Sequence, residues 1–164
     1  MLIAIISDIH DNLPNLDRCL AWCQKRRIKT VLFCGDTTNL ETAHYLARYP
    51  GEIFMVSGNE EFYESEDLSG FPSVHHLGKS GTVSLGGRSI GLVHDPRQIA
   101  ARLKNSPTPP DYLFYGHTHK PWLEKRGPTV VANPGNISGT WYQATFATLD
   151  TATGELALKI LAEL

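Results

Sequence analysis

The residues best suited to chemistry in this 164-residue chain stand where apolar runs end. YLFY (112–115) runs into Gly116, His117, Thr118 and His119, and LIAIIS (2–7) into Asp8, Ile9 and His10. VLFC (31–34) leads to Gly35 and Asp36, IFMVS (53–57) to Gly58 and Asn59, and IGLV (90–93) to His94. Carboxylates, imidazoles and amide oxygens are the donors that hard and borderline divalent metals take, and no thiolate is among them. One H-x-H after a strand reads equally well as a polar loop. Five runs that each deliver such a group within a residue or two of their ends point to a shared metal site. The alternative, polar strand caps without metal, would have to hold at all five ends.

Such a site needs strands that end together. Runs of four to eight residues that are apolar throughout suit strands buried on both faces. In α/β sheets, sites form in the crevice beyond the carboxyl ends of the strands. Alternation along an extended segment predicts that Asp8 pairs with His10, and His117 with His119. Glycine before Asp36, Asn59 and His117 would let the backbone turn sharply and approach an ion.

The connecting segments agree with this picture. Leu13, Leu16, Leu20 and Cys23 recur at helical spacing behind Asn12 as N-cap, with Pro14 in the first turn. Leu40, Ala43, Leu46 and Ala47 predict a second helix that stops at Pro50-Gly51. A strand–helix–strand–helix–strand opening implies parallel pairing with right-handed crossovers. Beyond Gly58, residues 61–73 (EFYESEDLSGFPS) read as a surface loop. TVSLGGRSIGLVH reads as a hairpin turned at Gly86-Gly87. Residues 97–104 read as a short helix, NSPTPPD as a stiff connector, and ATFATLDTATGELALKIL as a closing antiparallel pair. The expected architecture is one domain over 1–164: an α/β sandwich of two mixed sheets with helices outside.

Composition narrows the function classes. With 41% hydrophobic and 20% charged residues and a formal charge of −2, the chain offers no electrostatic footprint for duplex nucleic acid or an anionic membrane. Its most basic run, QKRRIK (24–29), reads as a solvated helix end. Nothing approaches eighteen consecutive apolar residues, so no transmembrane span is expected. MLIAIISDIH lacks the basic start of a signal peptide and reads as a strand. Cys19, Cys23 and Cys34 form no C-x-x-C, which suits buried free thiols in a reducing, cytoplasmic setting.

The ordered set D-x-H, G-D, G-N, H and G-H-T-H resembles the calcineurin-like metallophosphoesterases. The short length and the late Asn133-Pro-Gly-Asn136 are similar to their small single-domain phosphodiesterase branch, which includes the Vps29-like proteins. The resemblance runs from Met1 to about Leu161. It implies a four-layer α/β/β/α fold and two divalent metal ions, with manganese, iron, zinc or nickel all compatible. By the same resemblance Asp8, His10 and His119 would hold one ion, Asn59, His94 and His117 the other, and Asp36 would bridge them. Asp36, Asn59 and His94 would then act in catalysis through the metals. The implied reaction is hydrolysis of a small-molecule phosphate ester, foremost a diester, by a hydroxide bridging ions roughly 3.5–4 Å apart. A phosphomonoesterase, or a Vps29-like interaction scaffold with catalysis lost, is the alternative, and a homo-oligomer is compatible with either.

Two positions depart from the family pattern. Glu60 stands where the wider family has a histidine after G-N and the small branch often a cysteine. A carboxyl with a reference pKa of about 4.3 is ionised at neutral pH, so Glu60 would act as general acid only in a pocket that raised it. The expectation is a passive loop residue. Asp95 stands where glycine is common, and is expected to cap the next helix, with a role as partner to a ligand histidine as the alternative. Arg97 and Lys120 read as exposed charges within reach of a substrate phosphate. His44, His75 and His76 read as peripheral, and Asn133 as structural support for the metal face.

Overall fold

The computed structural model describes residues 1–105 and 108–164, so part of the expected NSPTPPD connector, Ser106 and Pro107, lies outside the described residues. The chain opens as its periodicities require, with β1 (Leu2–Ile6), α1 (Leu13–Lys25), β2 (Thr30–Phe33), α2 (Leu40–Ala47) and β3 (Glu52–Met55). The three strands pair in parallel. Asn12 caps α1, its side-chain oxygen accepting the Asn15 N–H at 3.1 Å, and Pro14 lies in the first turn where its missing N–H costs nothing.

Residues 61–73 do more than form a surface loop. A single 3-10 turn, Ser65–Leu68, closed by a capping box between Glu64 and Asp67, drives Leu68 into the core. It leads to β4 (Val74–His76), which adds in parallel to β3. Sequence patterning misses β4 because three half-buried residues carry no readable period. Next come the hairpin β5 (Ser80–Leu85) and β6 (Arg88–Val93), helix α3 (Ile99–Asn105), and β7 (Tyr112–Phe114) parallel to β6. The hairpins β8 (Trp122–Arg126) with β9 (Thr129–Asn133), and β10 (Thr145–Asp150) with β11 (Leu156–Ile160), complete the chain.

These strands form two mixed sheets, ordered β11-β10-β1-β2-β3-β4 and β5-β6-β7-β9-β8. Each central strand is apolar throughout because it faces a different layer on each side. On β1 and β2, Ile3, Ile5 and Leu32 pack between the sheets, while Ala4, Ile6, Val31 and Phe33 pack beneath α1 and α2. On β7, Tyr112 and Phe114 turn into the same inter-sheet core, and Leu113 turns outward with Ile99 of α3. Each fully buried Ile, Leu or Phe contributes about 2 kcal/mol of transfer free energy, so stability is concentrated around these strands. The fold is the expected four-layer α/β/β/α sandwich. No helix among the described residues is long and apolar enough to cross a membrane. All three cysteines are free and buried.

Candidate metal centre

The five strand ends β1, β2, β3, β6 and β7 meet at one end of the sandwich and bring Asp8, His10, Asp36, Asn59, His94, His117 and His119 together. They do not do so by strand alternation. β1 stops at Ile6 and β7 at Phe114, and the residues beyond take left-handed backbone: Asp8 (φ 54°), His10 (φ 43°), Asp36 (φ 68°), His117 (φ 68°) and His119 (φ 57°). The expected i, i+2 pairing therefore holds for Asp8 with His10 but fails for His117 with His119. Those two imidazoles diverge, His117 toward Asn59 and His119 toward Asp8 and His10.

Left-handed backbone costs a non-glycine residue on the order of 1 kcal/mol or more, and persists where its surroundings over-determine it. Here the loops hold one another. The His117 N–H donates to both Asp8 carboxylate oxygens at 3.0 and 3.1 Å, the Asp8 N–H to the Gly35 carbonyl at 3.0 Å, and the Ile9 N–H to the Asp36 carbonyl at 2.8 Å. The glycines serve this contact. A Cβ on Gly58 would sit 1.9 Å from Asp36 Oδ1, and one on Gly116 would sit 2.0 Å from Ser7 Oγ and 2.7 Å from Asp8 Oδ2.

The donor atoms fall into two halves. In one, His10 Nε2 lies 3.1 Å from His119 Nε2, and these two lie 3.8 and 3.4 Å from Asp8 Oδ1. In the other, Asn59 Oδ1 lies 2.8 Å from His94 Nε2 and 2.7 Å from His117 Nδ1. Asp36 Oδ2 stands between the halves, 3.2 Å from His94 Nε2 and 3.7 Å from His10 Nε2.

The outward nitrogens fix which ring atoms are free. His94 Nδ1 donates to the Cys34 carbonyl at 2.7 Å, and His119 Nδ1 faces the Thr140 carbonyl at 3.4 Å. His10 Nδ1 faces Glu60 Oε2 at 3.3 Å. With the proton on each outer nitrogen, the inner nitrogens present lone pairs to one another and to carboxylate and amide oxygens. Lone pairs held this close repel unless a cation stands among them, so the donor set fits a divalent metal at either half. The two carboxylate–imidazole groupings Asp8–His10–His119 and Asp8–Asp36–His94 each have ligand atoms within 4.8 Å of one another. Protonation tendencies reflect the same demand for positive charge. A hydrogen bond to Asp8 raises the His10 pKa, and contact with Asp36 raises that of His94 although burial opposes it. The Asp36 carboxyl is buried, which favours its neutral form, yet His94 draws its pKa below the usual range.

The supporting residues were legible in part. Asn133 braces the His117–His119 loop as expected, donating to the Gly116 carbonyl at 2.8 Å and to Thr118 Oγ1 at 3.0 Å. Asp95 is the expected cap, accepting the Arg97 N–H at 2.8 Å. It also pairs with the Arg97 guanidinium, which together with that backbone bond holds its carboxyl down at about 2. That pairing engages Arg97, and Lys120 lies over the Trp122 ring; neither lines the metal cavity.

Two further supporting residues, Glu61 and Trp141, carry no signal in the sequence, and a third, Asn136, closes the Asn133-Pro-Gly-Asn136 run without showing what it holds. Glu61 Oε1 accepts the Asp36 N–H at 3.2 Å from inside a segment expected to be surface loop, and burial raises its pKa. Asn136 donates to the His119 carbonyl at 2.9 Å while its oxygen gathers the Ser138 hydroxyl and the Gly139 and Thr140 N–H groups. Trp141, 81% exposed, sits with its ring 5.0 Å from that of His119. The cavity over the site has a volume of about 470 Å³ and is lined by ligand residues, Glu60, Thr140 and Trp141.

Residues 1–154 match the calcineurin-like phosphoesterase superfamily domain. A phosphodiesterase of Methanocaldococcus jannaschii is 26% identical over 142 residues, spanning 85% of this chain and 86% of that protein. The phosphodiesterase YfcE of Escherichia coli strain K12 is 27% identical over 155 residues, spanning 84% and 80%. Among solved structures, an archaeal phosphodiesterase superposes with a TM-score of 0.87 at 25% identity, covering 98% of this chain and 99% of its own. The zinc complex of wild-type Vps29 from Entamoeba histolytica shares the fold, with a TM-score of 0.73 at 24% identity over 96% of this chain and 90% of its own. The match runs through all five ligand-bearing strand ends on a chain folded as these relatives are, and the protein belongs to the calcineurin-like phosphoesterase superfamily.

Proposed function

We propose that the chain is a metal-dependent phosphodiesterase that binds two divalent ions, with Asp8, His10 and His119 at one, Asn59, His94 and His117 at the other, and Asp36 shared. The observation that carries this reading is the set of ring nitrogens and oxygens turned inward across both halves, with Asp36 Oδ2 in reach of each. When bound, two such ions generate a nucleophile from water at neutral pH and offset charge on the phosphoryl oxygens. The chain's own work is to hold the donors in place. The Cys34 carbonyl fixes the His94 ring, the Glu60 and Glu61 contacts fix Asp36, and Asn136 fixes the turn that carries His119. Among the described residues, the cavity lining includes no serine, cysteine or lysine, and Thr140 carries its one hydroxyl, a lining that suits attack by water.

A diester is favoured over a monoester by charge. A monoester brings two negative charges, a diester one, and the described cavity lining has no lysine or arginine to meet the second. All seven ligand positions are filled, which favours an enzyme over a scaffold. Nitrogen and oxygen donors without thiolate suit manganese, and also iron, zinc or nickel. The test is to strip the protein with chelator, reload it with each metal, and assay bis(p-nitrophenyl) phosphate against p-nitrophenyl phosphate. Elemental analysis should approach two metals per chain, with the diester preferred. Absence of turnover with every metal would overturn the enzyme reading, and a single ion in anomalous maps of reloaded crystals would overturn the dinuclear one.

A further inference from the structure

We infer that Trp141 is a stacking platform for a planar, uncharged ring of the substrate, so that the diesters taken are nucleotide-type esters carrying a nucleobase. This rests on the phosphodiesterase reading and deepens it.

Four observations lead there. Trp141 is 81% exposed, yet its indole lies at the cavity, 5.0 Å from the His119 ring and inclined to it by 43°. It is the one large apolar side chain among the described lining residues. A volume of about 470 Å³ is far more than a phosphoryl group fills and lies in the range of sites that enclose a small organic ligand. The part of the ester beyond phosphorus must therefore lie in this space, and its apolar face has only the indole to cover.

The backbone points the same way. Trp141 has a φ of 65°, a conformation that disfavours bulky residues, and its exposed indole gains little burial to compensate. The turn before it is nonetheless firmly held, since the Asn136 side-chain oxygen takes the Ser138 hydroxyl and the N–H groups of Gly139 and Thr140. The same Asn136 amide donates to the His119 carbonyl. One residue thus fixes the turn that leads into Trp141 relative to a candidate metal ligand. Charge selects the kind of ring. The described cavity lining offers no lysine or arginine, and Glu60 adds a carboxylate at its rim. A second phosphate is disfavoured there, while a neutral base carried on a monoanionic diester is accommodated. Every base has a π-face, and an indole stacks on it without reading its edge.

The test is calorimetric titration of manganese-loaded protein with adenosine 5′-monophosphate and with methyl phosphate, which share the phosphate but not the ring. The wild type should bind the nucleotide on the order of tenfold more tightly. That ratio should collapse toward one in Trp141→Ala and persist largely in Trp141→Phe. It should also persist in Phe62→Ala, which removes an equally exposed aromatic that does not line the cavity. A wild-type ratio near one, or a ratio that survives Trp141→Ala, would overturn the inference. Turnover of bis(p-nitrophenyl) phosphate by the same preparations is scored separately. Its absence would sink the hydrolase reading and leave the stacking result standing or falling on the titrations.

Discussion

The two halves of the metal face use the same donors on different ground. His94 and Asp36 are 3% and 2% exposed, and the His94 ring is fixed by a backbone carbonyl of the inter-sheet core. His10 and His119 are oriented from the rim, by the carboxylate of Glu60, 56% exposed, and by the turn that carries Trp141. In the first half the core anchors His94, while Asn59 is exposed and His117 half-buried. In the other, Asp8 and His119 are themselves buried, but Glu60 and the Thr140 carbonyl, which face the outer nitrogens of His10 and His119, lie on exposed residues. Catalytic competence should therefore reside in the first half, and tuning of metal affinity and substrate choice in the second.

The most severe test of that contrast is Asp36→Asn. It keeps the volume but removes the charge shared by both halves, and should lower kcat by at least about 10²-fold with metal in excess. Retention of more than about a tenth of wild-type kcat would show that the halves work independently.

The contrast also marks how far the sequence could be read. The ligands of both halves stood out because buried strands announce their own ends: LIAIIS, VLFC and YLFY are apolar throughout, and the polar residues after each are conspicuous. The layers came from the same runs, which need cover on both faces. The groups that position the ligands were less visible. Left-handed backbone at His10 or His119 has no signature in residue type, so the pairing inferred for His117 and His119 was wrong. Glu61 and Asn136 act through side-chain hydrogen bonds to loops distant in sequence, and a polar residue in a loop looks the same whether it faces solvent or a neighbouring strand end. Trp141 comes after the turn at Gly139 with no periodic partner, and nothing local marks it as part of the site.

Metal affinity should separate the halves by pH. Asp8 and Asp36 raise the His10 and His94 pKa values, so in the metal-free protein these imidazoles keep their protons to higher pH than usual. A metal must displace those protons. Affinity should accordingly fall as pH drops through and below the raised values and level off above them, by up to about tenfold per pH unit for each proton displaced. Chelator-competition titrations between about pH 6 and 8 would read the slope. A flat profile would mean that the lone pairs are already free of protons.

Asn136→Ala should be milder in chemistry but costly in structure. It removes the partner of the His119 carbonyl, the Ser138 hydroxyl and the Gly139 N–H, while the Thr140 N–H keeps Ser138 Oγ at 3.2 Å, at about 1–3 kcal/mol for each group that water cannot reach. The melting temperature should drop, and affinity at the His119 half should weaken by about tenfold, while the His94 half is spared. Equal weakening of both ions would erase the distinction drawn between them.

The smallest effect is expected at Glu60, where the rim meets the chemistry. Its N–H supports Asp36 Oδ1 at 2.8 Å, and that contact survives any substitution except proline. Its carboxylate faces His10 Nδ1 at 3.3 Å, an atom that Thr38 Oγ1 also contacts at 3.4 Å. A carboxylate placed in this way is positioned to orient the ring. Glu60→Ala should therefore weaken metal binding at the His10 half by about tenfold or less, as loss of a group that orients a ligand imidazole does. It should leave the dependence of log kcat/KM on leaving-group pKa unchanged, and that slope should already be steep in the wild type, since no general acid assists departure. Glu60→His restores a group that can donate at neutral pH and should speed alkyl diesters more than aryl ones, within the 10²–10⁴-fold that general acid assistance typically contributes. The decisive measurement is that slope in all three proteins with metal saturating. A shallow wild-type slope that steepens in Glu60→Ala would make Glu60 the general acid, and would move part of the catalytic machinery from the core-backed half to the rim.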